Sequence, residues 1–167
     1  KFDDVGGIER HVRSLLRGLA ATGEVEPLNL VSNDSPRTDR HRDHGYLTVR
    51  AGCWGAVSSL ALSPSLPLLA LRLQREHRFD LVHLHFPDPL GQLVASLLPS
   101  RVRRVVSWHS DIVRQRWALA LYQPLLTGFL RRADAIVGAT PFHFSGSTQL
   151  PPADSGPTRS ELNERLT

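Results

Sequence analysis

Asp80-Leu81-Val82-His83-Leu84-His85-Phe86-Pro87-Asp88-Pro89-Leu90-Gly91 is the stretch whose reading decides the fold. An apolar run ends in polar residues and then breaks at Pro87-Asp88-Pro89. After the break, Leu93-Val94-Ala95-Ser96-Leu97-Leu98 has the character of a short helix. A second apolar run, Arg104-Val105-Val106-Ser107-Trp108, leads to His109-Ser110-Asp111. The order is strand, break, helix, strand. Ligands of a parallel α/β sheet bind just beyond the carboxyl ends of its strands. His85, Asp88, His109, Ser110 and Asp111 are therefore expected at that edge.

Toward the N-terminus, Asp3-Asp4-Val5-Gly6-Gly7 reads as a turn before a helix. Ile8, Val12, Leu15, Leu16 and Leu19 lie at offsets 0, 4, 7, 8 and 11, one helical stripe. Gly23 is a natural C-terminal stop. Residues 25–32 read as a strand that Pro27 would keep at an edge. Residues 33–45 are polar and read as a loop, and 46–50 read as a second strand. Ser63-Pro64 opens a helix that runs to His77, with Leu66, Leu69, Ala70 and Leu73 on one face.

Toward the C-terminus, Asp88-Pro89 caps a helix whose stripe is Leu90, Leu93, Val94 and Leu97. A longer helix covers 116–132, with Trp117, Leu125, Phe129 and Leu130 as core contacts and Pro124 as a kink. Residues 135–139 form a strand, and Thr140-Pro141 resembles another helix cap. Helices and strands alternate throughout. That order predicts an α/β fold: a Rossmann-like, mostly parallel sheet with helices on both faces. A doubly wound fold starts with a strand before its glycine turn. Only Lys1-Phe2 precedes the turn here, so the first strand is expected to be largely missing. Residues 1–150 read as one domain, incomplete at its start. Residues 151–167 read as a flexible Pro/Ser-rich tail, with one exposed helical turn near 161–166.

Composition narrows the function. The chain has 167 residues, of which 41% are hydrophobic, enough for a core. Its one cysteine, Cys53, excludes an internal disulfide framework and a cysteine-rich zinc site. The net charge is +4, and Lys1 is the only lysine, so the positive charge is almost all arginine. Such a surface is either ordinary solvated charge or a binding face for phosphate and anionic lipid. No basic helix face with stacking aromatics accompanies it, which argues against nucleic acid. Residues 51–71 carry no charge, but Gly52, Gly55, Pro64 and Pro67 interrupt them. They read as a loop and an amphipathic helix that could lie on a membrane without crossing it. The opening Lys-Phe-Asp-Asp is not a signal peptide.

Three features could carry chemistry. Gly6-Gly7 before a helix offers unpaired N–H groups to a phosphate, or is an ordinary turn. His83 and His85 share one face of a strand, and His109 and Asp111 have the same spacing at the next strand's end. Together they suggest a metal site. Otherwise His83 is buried with a hydrogen-bond partner and His85 lines a cleft. His109 is the stronger functional candidate, able to bind a sugar hydroxyl or act as acid or base near neutral pH. Ser110 lacks the G-x-S-x-G setting of a hydrolase nucleophile.

G-G-I-E-R-H-V, D-L-V-H-L-H-F-P-D-P-L-G, S-W-H-S-D and R-R-A-D-A-I-V-G-A-T-P, in this order, resemble the N-terminal domain of family 4 glycosyltransferases. These are retaining, two-domain enzymes of the GT-B fold. The resemblance spans residues 5–150. It implies transfer of a sugar, mannose among others, from a nucleotide-sugar donor to a glycan or lipid-linked acceptor. It implies that Gly6 and Gly7 meet the donor diphosphate, that His109 is the catalytic histidine near the donor sugar, and that His85 and Asp111 line the acceptor side. The donor phosphate would help deprotonate the acceptor in a front-face substitution. No cofactor and no metal would be needed, and the nucleotide sugar is a co-substrate. The family's C-terminal nucleotide-sugar-binding domain, with its E-x7-E motif, is expected to be absent, to be supplied in cis or in trans. The chain alone is then expected to be inactive, as a fragment or split subunit. A cytoplasmic setting is expected, peripheral on the inner face of the plasma membrane and against anionic lipid. Two other readings are a metal-dependent hydrolase using His83, His85, His109 and Asp111, and a non-catalytic Rossmann-like interaction module.

Overall fold

The computed structural model describes residues 6–57, 60–111, 116–138, 146–150 and 158–161. The first five residues, the Thr140-Pro141 cap and the helical turn expected beyond Glu161 lie outside them, as does the side chain of Trp117. The chain divides into two compact units, Lys1–His77 and Arg78–Thr167.

In the first unit, α1 (Gly7–Thr22) ends at Gly23, whose φ of 69° lets its N–H turn back to Ala20 O at 3.3 Å. None of the α1 side chains is fully buried; Val12, Leu15, Leu16 and Leu19 are half-buried and Ile8 is exposed. The sheet follows, with β1 (Leu28–Ser32), β2 (Asp39–Asp43) and β3 (Tyr46–Ala51) in the order β1-β3-β2. β1 runs parallel to β3, and β2 antiparallel. Pro27 stands just outside β1, its carbonyl accepting from Leu47 N at 3.3 Å. β2 corrects the expected loop over 33–45. All five of its side chains are exposed, so no alternation betrays it. Its signal is the His44-Gly45 turn, where φ is positive at both residues (47° and 84°), as a two-residue hairpin requires.

The uncharged stretch also departs from expectation. Before its helix it holds a small hairpin, β4 (Ala56–Val57) and β5 (Leu60–Ala61). The helix α2 (Leu66–His77) buries Leu66, Ala70 and Leu73, three of the four residues expected on its face.

The second unit is a four-stranded parallel sheet in the order β6-β7-β8-β9. Its elements are β6 (Leu81–Phe86), α3 (Pro89–Leu97), β7 (Arg103–Trp108), α4 (Arg116–Leu130), β8 (Ala135–Gly138) and β9 (Thr158–Glu161). β9 falls in the segment read as a mobile tail; those four residues instead pair with the edge of β8, Ala135 opposite Thr158 through Gly138 opposite Glu161. Strands added in one direction by right-handed crossovers place their helices on one face. The core agrees: Ala95 of α3 and Leu126, Phe129 and Leu130 of α4 pack on Phe86, Val106, Trp108 and Ile136. Phe86 and Trp108 lie ring on ring, 4.2 Å apart and 6° from parallel. Burying each such side chain is worth roughly 1.5–3 kcal/mol.

Two helix faces differ from the sequence reading. Leu93 and Leu97 are half exposed, whereas Gly91, Gln92, Val94 and Ala95 are buried. α3 is apolar nearly all round, so its hydrophobic stripe does not fix its inward side. Leu125, expected in the core, is exposed, and its neighbour Leu126 is fully buried.

The arginines that open β7 have structural partners. Arg104 donates to Ala95 O and Leu98 O at 3.2 and 3.1 Å, satisfying carbonyls at the end of α3, and to Val102 O at 3.3 Å. Arg103 pairs with Asp134 at 3.1 Å. The Asp134 carboxyl is held below its ordinary range by the Arg104 N–H first, and then by Arg103.

Candidate functional site

Strand alternation sorts the second sheet into two faces. Val82, Leu84 and Phe86 of β6 belong to the core side, as do Val106 and Trp108 of β7. His83 and His85 point the other way, as do Val105, Ser107 and His109. The register sets His85 opposite Ser107. His109 N donates to Phe86 O at 3.2 Å, which continues the ladder one residue past β7. His109 is thereby fixed beside the carboxyl end of β6.

The three imidazoles form a row. His83 Nε2 and Ser107 Oγ are 2.8 Å apart, and the His83 and His85 rings stack with centres 4.6 Å apart. His85 Nδ1 and His109 Nε2 are 3.1 Å apart, with ring centres 5.4 Å apart and planes 18° from parallel. The two distances differ by about the two ring radii, so the nitrogens lie on the line between the centres. His85 and His109 therefore meet edge to edge in a nearly linear N–H···N bond rather than in a stack. His83 has the hydrogen-bond partner expected of it, but it is half-buried rather than enclosed. Among the described residues, no three His, Cys, Asp or Glu side chains converge as metal ligands would.

Asp111 does different work. Its Oδ1 accepts from Trp108 Nε1 at 3.2 Å and from Ser147 Oγ at 2.6 Å. Its Oδ2 accepts from Thr148 N at 3.0 Å and Thr148 Oγ1 at 3.4 Å. The carboxylate ties residues 147–148 onto the end of β7.

A second polar group sits at the start of α3, beyond the Phe86–Pro87 peptide, which is cis. Asp88 is the N-cap, accepting from Gly91 N at 3.0 Å. Although Asp88 is an exposed residue, its carboxyl is folded under the first turn. A Cβ on Gly91 would fall 2.3 Å from Asp88 Oδ2 and 3.0 Å from Leu84 Cδ2, so a larger residue there would have to displace the capping carboxylate. Burial raises the Asp88 pKa above the ordinary carboxylate range, opposed by the Gly91 and Leu90 N–H groups. The buried Gln92 accepts from the Tyr122 hydroxyl through Oε1. Burial, and then the charge of Asp88, push the Tyr122 phenol far upward. Sequence reading missed this Asp88–Gln92–Tyr122 group. Its one signal was Gln92, a polar residue inside an otherwise apolar helix.

Gly6 and Gly7 belong to the first unit. Gly6 is the N-cap of α1 and supplies no side-chain cap, and the Glu9 carboxylate folds back over it. His85 and His109 are thus brought into contact, Asp111 is engaged with residues 147–148, and the glycines belong to a separate element.

A parallel α/β sheet with its helices packed on it defines a Rossmann-like fold. Residues 5–143 match the family model described as Glycosyltransferase Family 4, and the chain belongs to that family. It is 34% identical over 149 residues to the D-rhamnosyltransferase WbpZ of Pseudomonas aeruginosa, a match covering 89% of this chain and 38% of that protein. It is 31% identical over 150 residues to the O-antigen chain mannosyltransferase C of Escherichia coli, covering 89% and 39%. The chain spans about two fifths of the length of these curated relatives.

Proposed function

We propose that the chain is the acceptor-side domain of a retaining glycosyltransferase. It would move a mannose or a rhamnose from a nucleotide sugar to a lipid-linked glycan of the O-antigen type. The names of the two relatives supply the sugars and the glycan class. The observation that carries the reading is His109, held at the end of β7 by its hydrogen bonds to Phe86 O and to His85.

In this reading His109 hydrogen-bonds a hydroxyl of the transferred sugar and orients its anomeric carbon. Gly6, Gly7 and the N–H groups opening α1 receive the donor diphosphate, with the helix dipole favouring its charge. His85 and Asp111 stand on the acceptor side, Asp111 by holding residues 147–148 in place. The donor phosphate accepts the acceptor's proton, and no metal or cofactor takes part. The donor nucleotide is held by a second domain, in cis or in trans, so these 167 residues alone give negligible transfer. The domain works at the cytoplasmic face of the membrane. No helix among the described residues is long and apolar enough to cross a bilayer, and Trp54, Leu62 and Leu68 are exposed in its uncharged stretch.

The test is transfer of labelled sugar from guanosine- and uridine-diphosphate sugars to a lipid-linked acceptor by the complete enzyme carrying this domain. Transfer that falls at least a hundredfold in His109→Ala supports the reading. Undiminished transfer in that variant, or no nucleotide sugar consumed by the parent enzyme, overturns it.

A further inference from the structure

We propose that His85 is a positioning residue for His109: one hydrogen shared between His85 Nδ1 and His109 Nε2 locks both rings into the same tautomer. The functional consequence rests on the reading that His109 touches the sugar; the locking itself does not.

An N···N hydrogen bond needs one donor and one acceptor, and a neutral imidazole carries one N–H. At 3.1 Å, with the nitrogens on the line between the ring centres, there are two ways to meet this. If His85 donates through Nδ1–H, then His109 Nε2 is bare and the His109 hydrogen sits on Nδ1. If His109 donates through Nε2–H, then His85 Nδ1 is bare and the His85 hydrogen sits on Nε2. The rings are both Nδ1–H in the first case and both Nε2–H in the second. Mixed tautomers leave two hydrogens, or two lone pairs, facing each other. The state of His85 thus decides whether Nδ1 of His109 donates or accepts, and so which hydroxyl geometry it can bind.

The same contact limits charge. The pair accommodates one added proton, because the bridge still holds a single hydrogen. A second would put N–H against N–H. Among the described residues, the titratable group seen against the pair on this face is His83 on β6, stacked 4.6 Å from His85. Asp111 is engaged with Trp108, Ser147 and Thr148. Ser107, from β7, is uncharged and bound to His83.

Long-range 1H–15N correlation spectra of the 15N-histidine-labelled 167-residue chain test this directly. His85 and His109 should report the same single tautomer, and on acidification the first added proton should leave the bridge between them intact. In His85→Ala, the His109 nitrogen shifts should change from those of the parent chain. His85→Asn, whose amide occupies the place of Nδ1, should restore a single tautomer. Opposite tautomers in the parent chain, or His109 shifts unchanged in His85→Ala, would overturn the proposal. Loss of the histidine role in transfer would show separately, as undiminished turnover of His109→Ala in the complete enzyme with the tautomer lock intact.

Discussion

The Asp111 carboxylate accepts from the Ser147 hydroxyl at 2.6 Å, joining the end of β7 to a residue 36 positions later. With Trp108 and Thr148, the carboxylate has donors on both oxygens. Asn in its place keeps one oxygen and turns an NH2 toward either Trp108 Nε1–H or the Thr148 N–H, neither of which can accept from it. Asp111→Asn should therefore destabilise the second unit by about 1–2 kcal/mol. It should also shift the indole N–H resonance of Trp108. Urea unfolding and an indole-region spectrum measure the two effects. An unaltered midpoint with an unmoved indole signal would reject the clasp.

How far the sequence foretold this arrangement depends on which residues signal their surroundings. β6, β7 and β8 were legible because buried parallel strands are short apolar runs, and Val105-Val106 and Ile136-Val137 can hardly be anything else. α3 was placed correctly from Asp88-Pro89, yet its inward face was not, since Leu93 and Leu97 are as apolar as Val94. β2 was invisible because Asp39 to Asp43 bury nothing, and an edge strand can be built wholly from charge. In the site, the two-residue spacing of His83 and His85 gave their common face, and the matching strand ends gave the approach of His109. The bond between His85 and His109 depends on register, which no spacing within one strand encodes. The engagement of Asp111 with Ser147 and Thr148 depends on a loop far along the chain, which no residue near Asp111 signals.

Asp88 separates the charge of a cap from its geometry. Its folded pKa is raised, so its ionised form is the less favoured one in the folded state. The stability it contributes is full below the ordinary value of 3.8 and declines as pH rises through the folded value. Asparagine keeps the acceptor oxygen for Gly91 N and carries no charge. Asp88→Asn should therefore be neutral or stabilising at pH 7, whereas Asp88→Ala should cost about 1 kcal/mol through the lost cap. Thermal unfolding of the pair at pH 7 decides; equal losses in both variants would argue that the charge itself is needed.

Tyr122 gives the opposite end of the pH scale. Its phenol is raised above an ordinary value of 10.0, by burial first and by Asp88 second. Up to that value the phenol is neutral whether the chain is folded or unfolded. Above it, the unfolded chain ionises first, so stability should fall as pH climbs from 10 toward the folded value. Tyr122→Phe should remove that alkaline loss. At neutral pH it should cost about 1–2 kcal/mol, because the buried Gln92 Oε1 loses its donor. Denaturation curves at pH 8 and pH 10.5 provide the comparison, and parallel losses for parent and variant would place the alkaline sensitivity elsewhere.

Trp54 is 77% exposed and Leu68 71%, and the segment 51–71 that holds them has no charged residue. The tryptophan's amide donates to Leu62 O at 3.0 Å, so Trp54 and the half-exposed Leu62 sit on neighbouring backbone. An exposed indole beside leucines suits the headgroup region of a bilayer, and a chain of net charge +4 is drawn to anionic lipid. The chain should bind vesicles of phosphatidylglycerol and phosphatidylcholine more strongly than vesicles of phosphatidylcholine alone. In a Trp117→Phe background, Trp54 emission should shift to the blue on binding, because Trp108 is already buried and has little further to move. Trp54→Ala should weaken binding about tenfold, equivalent to about 1.4 kcal/mol. Flotation gives the partitioning and fluorescence the burial. Equal flotation with and without phosphatidylglycerol would remove the charge contribution, and undiminished flotation of Trp54→Ala would remove this surface as the contact.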